Sequence, residues 1–292
     1  MNVQDTLLQL NEKFHSPSLT FGFWKNSQLP TAYIANRFCT GAVSLFGAHI
    51  LSYIPEKQED LLWISQSSHL EAPKAIRGGI PICWPWFGGD PAPAHGVARI
   101  QYWNLTDAVS LPDGSDTLSF ELTITEPHEL TARLKVNFGA KLTVALTTVN
   151  TGKTDFLLGD AIHTYFRIGE ISRTRIHGLG GAVAENRVDN TEFTAAQEPF
   201  VFSGETDHIY HSEAAVTIED PVLKRRILVE KENSRTTVVW NPWIAKSRRM
   251  ADFGDEEYHT MVCLEAANCS VDRIPLAPGA EHTLIQKISP AG

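Results

Sequence analysis

Cysteine is scarce in this 292-residue sequence, with four in all, and Cys39, Cys83, Cys263 and Cys269 form no CxxC pair. That argues against a disulfide-stapled scaffold and against a structural zinc site, so no metal is expected and the thiols should be reduced, half-buried spectators. No stretch approaches the roughly 20 apolar residues that a membrane span needs. The start, MNVQDTLLQLNEKF, lacks a basic opening followed by an apolar run, so no secretory signal is read and the expected location is the cytoplasm. Basic residues are in deficit: 25 Lys and Arg against 34 Asp and Glu leave a formal charge of −9. This disfavours nucleic acid, whose binding rests on basic surface. It also requires that any anionic ligand be held by a local cluster of cations, because the overall field repels it. Low-complexity tracts, fixed-period repeats and linker-like stretches are missing too, so one domain over 1–292 is expected.

A hydrophobic content of 42% can bury a large core. Residues 3–14 carry Leu7, Leu8, Leu10 and Phe14 at helical spacing, and after them the period changes to two. Thr117–Ile124 alternates apolar with polar residues, as do Arg133–Phe138 and Lys141–Thr147, and Gly139-Ala140 between the last two is a natural hairpin turn. Further strands are predicted at Thr31–Ala35, His49–Ile54, Leu61–Ile64, Ala161–Ile168, Ala214–Ile218, Arg226–Glu230, Thr236–Trp240, Thr260–Ala266 and His282–Ile288. Helical patterns of 10–15 residues do not separate them, which excludes a parallel α/β fold and predicts an all-β antiparallel sandwich or barrel.

Several motifs begin and fail. Gly152-Lys153-Thr154 resembles the end of a P-loop, but Thr147 stands where its first glycine belongs. Gly178-Leu179-Gly180-Gly181 opens like a dinucleotide fingerprint and then meets Val183. His128-Glu129 ends in Ala132 rather than a second histidine, and no GxSxG elbow exists.

Four segments carry chemistry. Ala75–Gly88 packs Arg77, paired glycines, two prolines and the rings of Trp84, Trp86 and Phe87 into 14 residues, which makes it a shaped loop. Its aromatic faces suit the C–H surface of a sugar, or else plug one end of the sandwich. Pro93–Arg99 sets His95 and Arg99 four apart on a loop that carries Pro93 and Gly96. A planar guanidinium matches phosphate oxygens in a bidentate way, so Arg77 and Arg99 are the candidate phosphate clamp; taken separately, each could be a solvated surface charge. In Ala161–Ile168, the strand period puts His163, Tyr165 and Arg167 on the face opposite Ile162, Phe166 and Ile168, and His163 either lines a cleft or is a bonded structural histidine. Glu265 shares its strand face with Met261 and Cys263 among apolar neighbours. A carboxylate there is costly unless paired or employed, and partial burial would lift its pKa toward the range of a general base.

Together these segments resemble the hexose-6-phosphate mutarotase (glucose-6-phosphate 1-epimerase) branch of the aldose 1-epimerase family, from about Thr31 to Ile288. The blocks that carry the resemblance are Arg-Gly-Gly-Ile-Pro…Trp-Pro-Trp-Phe-Gly, Pro-Ala-His-Gly-Val-Ala-Arg, His-Thr-Tyr-Phe and Cys-Leu-Glu-Ala, in that order. The resemblance implies a galactose mutarotase-like supersandwich with a cleft on its concave face. It implies His163 as general acid, Glu265 as general base, and Arg77, Arg99, His95 and Asp207 (in Glu205-Thr206-Asp207-His208-Ile209-Tyr210) as sugar contacts. Some relatives have a polar residue where this chain has Ala94, so one contact is expected to be absent. The implied reaction opens and recloses the hexose ring without a cofactor, on a small sugar phosphate, in a monomer. An epimerase for unphosphorylated hexoses and a noncatalytic carbohydrate-binding sandwich are the competing readings.

Overall fold

A computed structural model of the chain describes residues 3–14, 16–89, 91–197 and 199–291. After the helix Val3–Lys13, the described chain is antiparallel sheet joined by turns and single helical turns. Four strands, Leu19–Phe23, Pro30–Ala35, Cys39–Ser44 and His49–Pro55, form a meander. Two large sheets follow. One has nine strands with Glu281–Ala291 at its centre, flanked by Leu142–Asn150 and Arg225–Glu232. The other has eight, with Met261–Asn268 between Thr236–Asn241 on one side and the short strands Asp160–Ile162 and Tyr165–Arg167 on the other.

The alternating runs become strands because each buries one face. Leu130–Phe138 and Leu142–Asn150 pair around the Gly139-Ala140 turn and send Leu134, Val136, Phe138, Leu142, Val144 and Leu146 into one continuous core. At ~1.5–3 kcal/mol for each fully buried large apolar side chain, this packing is the main favourable term of the fold. Strand prediction fails where pairing is too short to show a period. Leu61–Ile64 makes only isolated bridges, Leu62 to Phe166 and Ile64 to Gly78. Strands such as Leu19–Phe23, Cys39–Ser44 and Asn104–Ser110 lack clean alternation and were not foreseen.

Polar groups tie the sheets together. Thr164 donates to Gln286 Oε1 across the interior, and Gln286 Nε2 donates to Leu264 O at 3.2 Å. Trp84, fully buried, donates from Nε1 to Thr148 Oγ1 at 2.9 Å. Asp160 breaks the rule that buried polar groups are bonded. Its side chain is wholly enclosed, neither carboxyl oxygen has a hydrogen-bond partner, and burial, reinforced by Asp272, pushes its pKa up to about 8. A carboxyl whose pKa is raised by folding contributes stability that is complete below ~3.9, its ordinary value, and is lost as pH climbs toward the folded value. Between about pH 5 and 8.5, Asp160→Asn should therefore lose ~2–4 kcal/mol less stability than the wild type. Denaturant unfolding at the two pH values checks this; an unchanged pH slope would mean that Asp160 titrates normally.

Candidate active site

The eight-stranded sheet lays its side chains out in rows. Asp207, Trp240, Cys263 and Tyr165 stand in register across four strands. Two residues along, and so on the same face, the next row is Ile209, Val238 and Glu265. Asp207, Ile209 and Val238 line a cleft of about 420 Å³ together with Phe87, Gly88, Gly89, His95, Arg187, Cys269, Ser270 and Arg273. That volume lies within the ~300–1,000 Å³ usual for small-molecule sites. A second cavity of about 490 Å³, walled by Trp86, Pro93, Pro127, Phe156 and Leu157, contains none of the six predicted site residues.

His163 reaches this face through a gap in the strand expected at Ala161–Ile168. The flanking register, Ile162 opposite Ala266 and Tyr165 opposite Cys263, sets His163 directly across from Glu265. The His163 amide leaves the ladder and donates to Pro81 O at 3.2 Å. The two side chains meet, with His163 Nδ1 3.4 Å from Glu265 Oε1, although the residues are 102 apart in sequence (265 − 163). His163 lies parallel to the Tyr165 ring at 4.8 Å between centroids, and the rings of His95, Phe87 and Trp240 surround it at 5.7, 6.3 and 6.5 Å.

Burial controls the electrostatics. Glu265 is 2% exposed and His163 is 7% exposed. Desolvation drives the Glu265 carboxyl well above the usual range, with Asp207 adding to the rise. Desolvation likewise drives His163 well below its usual value, helped by His95, Arg99 and Arg77. Both shifts favour neutral forms, a carboxylic acid facing a neutral imidazole. This pair carries the same number of protons as a carboxylate facing an imidazolium, so one internal proton transfer converts one form into the other. The imidazole of His163 should keep a neutral signature in ¹H–¹³C NMR between about pH 5 and 8, the window in which an ordinary histidine titrates. Spectra of His163→Asn supply the assignment, and an inflection in that window would contradict the assigned environment.

The predicted substrate contacts divide into two groups. His95 and Asp207 line the cleft. Burial and the two arginines lower His95 to about 3, so it is neutral, and Lys246 Nζ stands 3.6 Å from Asp207 Oδ2 and 3.2 Å from Glu205 Oε1. Arg77 and Arg99 are not among the lining residues but stand within electrostatic reach of both His95 and His163. Arg77 is already engaged: Nε and Nη2 donate to the Asp252 carboxylate at 3.2 Å each, and Nη1 donates to Tyr165 Oη at 3.0 Å. Arg99 Nη2 donates to Ala94 O at 2.8 Å, while its buried Nε has no partner.

Of the three aromatic side chains in the loop, only Phe87 lines the cleft. Trp84 is a core plug, and Trp86 turns to the second cavity, donating to Pro93 O at 2.9 Å. Tyr165 as a stacking platform, Asp252 as the partner of Arg77, and Arg187 and Arg273 in the cleft wall were not singled out from the sequence. Tyr165 was legible as the i+2 neighbour of His163; the others sit in segments without a pattern.

An enclosed carboxyl and imidazole thus meet on one face of a large antiparallel sandwich, adjoining the lining of a cleft of small-molecule size. The chain matches the aldose 1-epimerase family over residues 31–289 and belongs to it. It is 35% identical over 263 residues to a protein of Cenchrus ciliaris provisionally named glucose-6-phosphate 1-epimerase, covering 84% of this chain and 79% of that one. A Salmonella typhimurium protein provisionally described as a mutarotase (YeaD) superposes with a TM-score of 0.87 at 30% identity, covering 95% of both chains. A galactose mutarotase related enzyme from Lactobacillus acidophilus shares the fold, with a TM-score of 0.69 at 15% identity over 89% of this chain and 97% of that one. The supersandwich expected from the resemblance is the fold observed.

Proposed function

We propose that this protein interconverts the α and β anomers of a hexose 6-phosphate, glucose 6-phosphate being the first substrate to test. The observation that carries the reading is the 3.4 Å approach of His163 to Glu265, a pair that adjoins the lining of the cleft: His163 packs on the rings of His95 and Phe87, and Glu265 stands opposite Val238. Glu265, as carboxylate, takes the proton of the C1 hydroxyl while His163, as imidazolium, protonates the ring oxygen. The C1–O5 bond then breaks, rotation about C1–C2 turns the aldehyde over, and the reverse transfers close the ring. Polar groups of the bound sugar favour the charged form of the pair over the neutral one. Atoms and electrons balance within the sugar and the pair, so no redox cofactor is called for.

Arg77, Arg99 and the names of the relatives support a phosphorylated substrate, and the four unlinked cysteines suit a reducing, cytoplasmic setting. The Arg77–Asp252 pair favours a second reading, a neutral hexose, because it already offsets one of the two cations. Anomer exchange measured by NMR on glucose and glucose 6-phosphate decides between them. On the first reading the phosphate form is turned over faster, and Arg99→Ala raises KM for it at least ~10-fold, about the worth of one charge-assisted hydrogen bond, with little change on glucose. Equal losses on both sugars would remove the phosphate clamp, and binding of either sugar without exchange would leave only a carbohydrate-binding module.

A further inference from the structure

We propose that His163, Cys263 and Glu265 form a binding site for a thiophilic divalent cation, Zn²⁺ above all, and that the cation closes the active site when it binds. The inhibitory half rests on the reading of His163 and Glu265 as the acid–base pair; the binding half does not.

Cys263 has no part in the sugar chemistry, yet it shares a strand face with Glu265 and stands opposite Tyr165, next to His163. One ligand atom from each of the three residues lies within 4.8 Å of the other two. In a tetrahedral site with Zn–N and Zn–O near 2.0–2.1 Å, ligand atoms sit ~3.4 Å apart, and a thiolate at 2.3 Å lies ~3.6 Å from the others. The His163–Glu265 separation of 3.4 Å already equals such an edge, and the sulfur needs to approach by ~1.2 Å at most, a shift shared between the Cys263 side chain and its partners. All three residues are buried, and both His163 Nδ1 and Glu265 Oε2 lack a hydrogen-bond partner.

The donor set selects the metal. One imidazole, one thiolate and one carboxylate, with a fourth position left for water, suit Zn²⁺ and other borderline-soft ions, whereas Mg²⁺ and Ca²⁺ need six or more oxygens. Charge also balances. The cation replaces the thiol proton of Cys263 and the carboxyl proton of Glu265, which leave to solvent, so the occupied site is neutral overall and no oxidation state changes. A neutral cluster avoids the cost of an uncompensated charge in the interior. Once the metal is seated, Glu265 can no longer accept the C1 proton and His163 can no longer exchange one.

Titration of the full chain with Co²⁺ as optical probe tests the site. The wild type should take up one equivalent with a sulfur-to-cobalt charge-transfer band and the visible bands of a tetrahedral ion, both displaced by Zn²⁺. Loss of anomer exchange should follow the same concentration dependence and be reversed by EDTA. Cys263→Ala should retain turnover, lose the charge-transfer band and need at least ~10-fold more Zn²⁺ for inhibition, since even an outer-shell partner of a metal is worth 10–100-fold. Cys83→Ala, which removes another buried thiol, should behave as wild type. Should Cys263→Ala fail to fold, Glu265→Gln must still weaken Co²⁺ binding. Absence of the band in the wild type, its persistence in Cys263→Ala, or undiminished Zn²⁺ inhibition in that variant would each overturn the proposal. The optical measurement stands even if the chain proves inactive on every sugar phosphate.

Discussion

Glu265→Gln is expected to lower the anomerisation rate ~10²–10⁴-fold, the range that one positioned acid or base contributes, while leaving sugar affinity largely intact. An amide has the shape of the acid but cannot pass a proton, so the fold is retained and the chemistry is lost. His163→Asn should cost a similar factor. The double variant should be little worse than either single one, because the two groups handle one proton between them and act as a unit. A second signature comes from linkage. Folding raises the Glu265 carboxyl by burial, so the stability tied to its proton is present at low pH and is lost as pH rises through the folded value. Relative to wild type, Glu265→Gln should therefore gain thermal stability at alkaline pH while losing activity at every pH. Exchange NMR or polarimetry on the preferred anomer reads the rate, and calorimetry reads the stability. A variant within tenfold of wild-type turnover would remove Glu265 from the reaction.

Gly96→Ala should damage fold and site together. Gly96 has φ +74°, and a Cβ there would stand 2.1 Å from Trp84 O and 2.4 Å from Trp84 C. Those atoms are backbone on the segment that carries the buried Trp84 ring, and Val97 and Ala98 both donate to the same oxygen, at 2.9 and 3.2 Å. The left-handed conformation costs an alanine ~1–2 kcal/mol before any contact is counted. Relief of the clash then requires one of two packed segments to move. His95 immediately before it and Arg99 just after it move with the loop. A stability loss of ~3 kcal/mol or more is expected, together with a fall in kcat/KM larger than the loss of folded protein explains. Unfolding curves and rates normalised to the folded fraction separate the two. A variant with normal stability would mean that the loop relaxes freely and that the close approach at Trp84 is not needed.

The all-β class, the two-residue period of the long hairpins and the blocks around Arg77, His95, His163 and Glu265 were legible in the amino-acid order. Strand alternation and loop composition are local properties, readable wherever a segment is long enough to show them. Short strands of two or three residues, such as Ile82–Cys83 and Phe156–Leu158, escaped because they are held by neighbours rather than by their own pattern. The same limit hid Asp252, Arg187 and Arg273, which acquire meaning only from what lies opposite them.

The chain order by itself determined which residue types were available: one carboxylate amid apolar neighbours, one histidine on a polar strand face, and arginines in shaped loops. Tertiary structure decided the rest. The pairing of Tyr165 with Cys263 and of Ile162 with Ala266 sets the imidazole across from the carboxyl, and the enclosing core pushes both toward neutral forms. Asp252 and Tyr165 took up the Arg77 fork that the sequence had offered to a phosphate. Desolvation and cross-strand distance depend on all the surrounding atoms at once, and no single segment carries them.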